Sequence, residues 1–161
     1  MIALYTIAVF VFFAYILVTA LEFDCIPKSI SDTYYLWAER NRGLLFIFFM
    51  WVCALCLLLP MLSVSANNTH WMAFLSCSGM MFVGCASAFK ETLTKVVHYT
   101  SAIIWAVFAV AWTICNEQYI AIAVALLIGV ILYLHARMCF TFFAECTCAL
   151  MLIIAVMMML V

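Results

Sequence analysis

Six long apolar runs constrain this chain more than any other feature of its sequence. They occupy residues 2–21, 44–64, 71–89, 99–115, 119–135 and 139–160, and a single charged residue, Glu145, falls inside them. A helix needs about 20 apolar residues to cross about 30 Å of hydrocarbon. Within lipid every backbone N–H and C=O must be satisfied by the spanning structure itself, which leaves helices and closed barrels. These runs are continuously apolar, whereas a barrel strand alternates in polarity from residue to residue. The sequence therefore predicts an all-α polytopic transmembrane helix bundle, a single integral membrane domain over residues 1–161. We expect six spans, or five if the short fourth and fifth fuse into a re-entrant hairpin around Asn116-Glu117-Gln118.

Composition agrees and removes whole classes of function. The 161 residues are 72% hydrophobic and 8% charged, with six Lys/Arg, seven Asp/Glu and a mean hydropathy of +1.33. Soluble domains are about 25% charged, so a soluble enzyme and a disordered tail are both excluded. A nucleic-acid binder is excluded too, because no basic patch exists to meet phosphates. The N-terminal run opens Met-Ile-Ala-Leu-Tyr without a positive charge and continues into Glu22-Phe-Asp24 with no small-x-small cleavage site. We read it as a retained first span and not a signal peptide. No soluble domain, long linker or internal repeat is expected.

Charge sets an expected orientation. Lys28, Arg40, Arg42, Lys90, Lys95 and Arg137 all fall in the connections after spans one, three and five. The connections after spans two and four have no basic residue. Lys and Arg in short loops stay on the cytoplasmic side, so both termini are expected outside and the three basic loops inside. The Asn67-Asn68-Thr69 sequon then lies outside, where we read it as a polar turn.

Residues 22–43 are the most informative connection. Pro27 restrains its own φ and has no N–H, marking a break after span one. Ser29 or Ser31 is placed to cap a short helix over Asp32–Arg40, and Tyr34, Tyr35 and Trp37 suit the headgroup layer. The plain reading is an interfacial helix anchoring the bundle. The sharper one is a polar site at the membrane face lined by Asp24, Ser29, Ser31 and Asp32. Span three is rich in small residues from Ser76 to Ala88, including Gly79, Gly84 and Ala88. Span four presents Ala102, Ala106, Ala109 and Thr113 on one stripe. Small residues let helices approach closely where lipid supplies no hydrophobic drive, so these two spans are expected to form the packed centre.

Glu145 lies eight positions past Arg137, about 12 Å along a helix at about 1.5 Å per residue. Thr141 sits one turn before it, with Cys148 and Ala149 one turn after. A carboxyl inside a span is costly unless it faces the bundle interior. It reads as a proton or cation site, or else as a neutral acid hydrogen-bonded to a neighbouring helix. His98 and His135 are both expected on the cytoplasmic side. With Asp24, Asp32 and Cys139 they offer the mixed donor set that zinc accepts, although no His-x-x-x-His or His-Glu-x-x-His spacing occurs. The nine cysteines include Cys53 and Cys56 mid-span. They read as small apolar filler, not as a disulfide framework.

Three stretches, Ile26-Pro-Lys-Ser-Ile-Ser-Asp-Thr-Tyr-Tyr35, Met72 to Gly84 with Phe89-Lys90, and Val97-His-Tyr-Thr-Ser-Ala102, carry a resemblance over about residues 26–105. In order and spacing they resemble uncharacterised small multi-pass membrane proteins of bacteria and their phages. That resemblance implies a bacterial or phage membrane context and no particular activity. More distantly, the chain resembles membrane hydrolases of the alkaline-ceramidase and progestin-receptor type, which hold zinc with Ser, Asp and three His at one membrane face. Ser31, Asp32, His98 and His135 stand in candidate positions, but the seventh span and the closing His-x-x-x-His are missing. This second likeness implies a zinc-bound water attacking a lipid amide or ester.

Three functions follow. The leading one is non-enzymatic: a membrane protein acting by helix packing with itself, as a homo-oligomer, or with a membrane partner. The second is a zinc-dependent lipid hydrolase using Ser31, Asp32 and the histidines. The third is a small proton- or ion-coupled conduit centred on Glu145. Apart from zinc in the second, no cofactor is expected.

Overall fold

The computed structural model describes residues 1–23, 27–86, 91–136 and 139–161, setting aside the side chains of residues 67, 91–95 and 136. The regular structure among them is helical. Helix α1 covers Ile2–Phe23, α2 Thr33–Glu39, α3 Leu44–Val64, α4 His70–Ala86, α5 Glu91–Cys115, α6 Tyr119–Ala136 and α7 Phe140–Leu160, with one 3₁₀ turn at Asn67–Thr69. Among the described residues, four helices are long and apolar enough to cross a membrane: α1, α3, α5 over Val96–Cys115, and α7. Helices α4 and α6 have shorter apolar stretches, His70–Ala86 and Tyr119–His135.

The expected fourth run, 99–115, is thus longer than its apolar residues suggested, because α5 starts at Glu91. The shortfall lies in the third and fifth runs instead. Around Asn116-Glu117-Gln118 the chain turns tightly between α5 and α6. Glu117 takes a left-handed φ of 59°, and the N–H groups of Glu117 and Gln118 return to the carbonyls of Ile114 and Thr113 at 2.9 and 3.0 Å. This Schellman closure ends α5 and lets α6 start afresh. Asn41, with φ 57°, closes α2 in the same way through the N–H groups of Asn41 and Arg42.

Helices α3, α4 and α5 pack side by side, with the α4–α5 pair the most extensive; α1 lies on α3, and α6 on α7. Helix α7 ties the bundle together by touching α1, α3 and α5 as well. Phe46, Met61, Trp112, Leu152 and Val156 are fully buried at this junction. Outward faces stay apolar, as at Phe10, Leu17 and Leu21 on α1 and Leu126, Leu127 and Leu134 on α6. In a water-soluble fold such faces would demand cover; in lipid they are solvated.

Glycine sets the α4–α5 approach. A Cβ built on Gly79 would lie 2.7 Å from the Trp105 backbone N and 2.9 Å from the Ser101 carbonyl oxygen. Backbone meets backbone there, as the small-residue reading of span three anticipates. Gly84 faces a different helix, its Cβ position 2.9 Å from Met50 Cβ on α3.

Alternating helices bring connections together at two ends. At one end Trp112 Nε1 donates to Ser65 Oγ at 2.6 Å, and the Ala66 N–H donates to Asn116 Oδ1 at 3.3 Å. Thr69, the last residue of the sequon, is buried there, 3.3 Å from Asn116 Nδ2. At the opposite end the first connection meets the starts of α5 and α7.

A membrane-face cavity over Glu145

The first connection folds into the bundle instead of lying on it. Pro27, Ile30, Thr33 and Trp37 are all buried, with Ile30 4% and Trp37 3% exposed. Trp37 therefore departs from the headgroup position expected of it. Its Nε1 donates to the buried Thr19 hydroxyl on α1 at 3.1 Å, and its ring meets Phe23 edge-on at 5.0 Å. One residue type fits both places, because an indole carries a large apolar body with a single polar handle. Thr33 adds a second latch: its Oγ1 donates to the Ile30 carbonyl at 2.5 Å and lies 2.6 Å from the Tyr15 hydroxyl. Of the three expected aromatic anchors, Tyr35 remains exposed.

Ser29 caps the turn that leads into α2. Its Oγ accepts the Asp32 N–H at 2.9 Å and lies 2.9 Å from Ser31 Oγ, while Asp32 Oδ2 accepts the Lys28 N–H at 3.3 Å. Hydroxyl and carboxylate thus satisfy each other's neighbouring amides in capping-box fashion. The result is a rigid turn whose next amide points at α7. The Ile30 N–H donates to Glu145 Oε2 at 2.5 Å, across 115 residues of sequence. Glu145 is five residues beyond the first residue of α7, so it stands only about 8 Å along that helix. It has a backbone donor.

Above and beside this bond opens a cavity of about 440 Å³. The first connection contributes Ser29, Ser31, Asp32 and Tyr35 to its wall. Helix α5 contributes His98 and Tyr99, then Ala102, Ile103 and Ala106 one to two turns further along. Helix α7 contributes Thr141, Ala144 and Glu145. Polar groups are concentrated at the connection and the α5 start, and the small apolar residues lie deeper. A second, smaller cavity of about 30 Å³ lies further inside, room for about one water. Ser31, Ala102 and Glu145 line both spaces. Trp105 lines the inner one; it is 5% exposed, and its Nε1 is a buried donor without a partner among the described residues.

Of the residues singled out from sequence, Ser31, Asp32, His98 and Glu145 line this one cavity. His135 does not; it is exposed at the last turn of α6. Asp24 and Ala88 lie outside the described residues, as do Lys90 and Arg137. Among the described residues no three His, Cys, Asp or Glu side chains come together to hold a metal ion. The zinc set implied by the hydrolase likeness therefore does not assemble from them, and no hydrolytic step is derived through it. Ala102 and Ala106, expected to pack against span three, line the cavity, and Ala102 also borders the inner one beside Met80 and Val83 of α4. Cys53 and Cys77 are buried, and the eight cysteines among the described residues are free thiols.

Sequence reasoning missed Tyr99, Ala144 and Trp105. A signal existed for two of them: Tyr99 adjoins His98, and Trp105 follows it by seven residues, two turns on the same face. Compared with known protein families, curated proteins and solved structures, the chain matches none.

Proposed function

We propose that this chain is a non-enzymatic, six-span protein of a bacterial cytoplasmic membrane that binds a small ligand in the cavity over Glu145. The packed α3–α4–α5 unit serves as its scaffold, and self-association or a membrane partner would build on that scaffold. One observation carries the reading: the first connection brings Ser31 and Asp32, α5 brings His98, and α7 brings Thr141 and Glu145 to one concave space. Its volume of about 440 Å³ is that of ordinary small-molecule sites, about 300–1,000 Å³. The six basic residues, which all follow the first, third and fifth apolar runs, favour placing this face in the cytoplasm and both termini outside.

The test is mass spectrometry of small molecules that co-purify with nanodisc-reconstituted protein, parent beside Ala144→Phe. The parent should hold a species that the filled cavity loses while its thermal stability stays unchanged. A species retained equally by both, or none in the parent, would end the proposal.

A second reading, the conduit, draws on Glu145 lining both the larger and the smaller cavity. It requires that Glu145→Gln abolish proton or cation flux into liposomes. Equal flux through both proteins, or through neither, would dismiss it.

A further inference from the structure

Charge and shape of the cavity narrow its ligand. Asp32 and Glu145 both line it, and each carboxylate is held by one backbone amide, from Lys28 and Ile30 respectively. Each amide engages one oxygen of its carboxyl group. No Lys or Arg lines the cavity among the described residues, so its polar end is complementary to a cation. Hydroxyls of Ser31 and Thr141 supply further acceptors beside the two acids. Charge-assisted hydrogen bonds of this kind are roughly twice as strong as neutral ones.

The other half of the wall is apolar and opens sideways. Ile103 is 62% and Tyr99 65% exposed, and Ala144 on α7 is exposed as well. Helices α5 and α7 touch each other far less than α4 touches α5 or α6 touches α7. A slot lined by Ile103, Ala106 and Ala144 therefore faces the membrane, with Ile103 and Ala106 one to two turns further along α5 than His98 and Tyr99. A soluble cation would find half of this surface useless, and an anionic lipid would meet two carboxylates.

We propose that the cavity takes a single-chain cationic amphiphile, its amine between Asp32 and Glu145 and its alkyl chain leaving between α5 and α7 into the bilayer. This rests on the ligand-binding reading above and names the ligand class.

The probes are octylamine, octanoate and octanol, each with a diazirine near the chain end, photo-crosslinked to the protein in zwitterionic nanodiscs and mapped by peptide mass spectrometry. The amine should label the α5 and α7 segments around Ile103, Ala106 and Ala144 saturably, and unlabelled octylamine should compete. Asp32→Asn combined with Glu145→Gln should weaken labelling at least tenfold; both replacements keep an oxygen for the Lys28 and Ile30 amides, so the fold is retained. Ala106→Phe, with both acids intact, should block labelling by obstructing the slot. Equal saturable labelling by the octanoate or octanol probe would overturn the cationic assignment while leaving the cavity a binding site. Labelling indifferent to the acid substitutions would overturn it too. If none of the three probes labels these segments saturably, the ligand-binding reading itself falls.

Discussion

Replacing Gly79 with alanine tests the α4–α5 contact most directly. The new Cβ would sit 2.7 Å from Trp105 N, 2.9 Å from Ser101 O and 3.0 Å from Trp105 Cα. Carbon atoms rest at about 3.5–4.0 Å from their neighbours, so the helices must part by about 1 Å. All three obstructing atoms are backbone, and no rotamer change relieves them. Overpacking costs about 1–3 kcal/mol, and a rigid obstruction belongs at the upper end. Alanine returns about 1 kcal/mol in helix propensity, leaving a net loss of about 2 kcal/mol. Gly84→Ala, on the same helix, gains the same propensity but meets one atom closely, Met50 Cβ at 2.9 Å, which no rotamer change can move. With one obstructing atom instead of three it should lose less, up to about 1 kcal/mol after the propensity gain. The assay is dodecyl sulfate titration in mixed micelles followed by circular dichroism. A Gly79→Ala variant as stable as Gly84→Ala would refute backbone contact between α4 and α5.

Further expectations follow from the turn and the latches. Glu117→Gly should stabilise by about 1 kcal/mol in the same titration, since a left-handed φ of 59° costs a side chain that much; no gain would mean the turn is unstrained. Trp37→Phe leaves the buried Thr19 hydroxyl without its donor, so a loss of about 1–3 kcal/mol and faster proteolysis of the first connection are expected. Parent-like proteolysis would show that the latch contributes nothing. Glu145→Ala strands the Ile30 N–H and should cost about 1–3 kcal/mol, whereas Glu145→Gln retains an acceptor and should stay near the parent. Equal losses from both would mean that the negative charge, not the acceptor, matters.

Hydrophobic runs made the helices legible, and α3 at Leu44–Val64 coincides with its run. They marked α5 poorly because apolarity reports what lipid tolerates, while helical hydrogen bonding continues to Glu91 through polar residues. The small-residue stripe on α5 exposes a deeper ambiguity. An alanine leaves room either for a neighbouring backbone or for a void: Ala109 is fully buried, whereas Ala102 and Ala106 border a cavity. Which occurs depends on where α7 lies, and nothing local to α5 records that. Ser31, Asp32, His98 and Glu145 each stood out as costly polar residues near a membrane. Their convergence depends on the turn at Ser29 and on the burial of Trp37 beside Thr19, contacts between segments far apart in sequence.

The bond from Ile30 to Glu145 also imposes an order on biosynthesis. Its partners are 115 residues apart, and the Tyr5 hydroxyl reaches the Ile153 carbonyl across 148 residues. At about 5–20 residues per second, roughly 6–23 s pass after Ile30 is made before Glu145 follows. Throughout that interval the first connection lacks its clasp. Because α7 follows α1–α6 in the chain, it locks the first turn in place only after they are made, and a nascent chain stalled after α6 would hold that turn open to quality-control proteases.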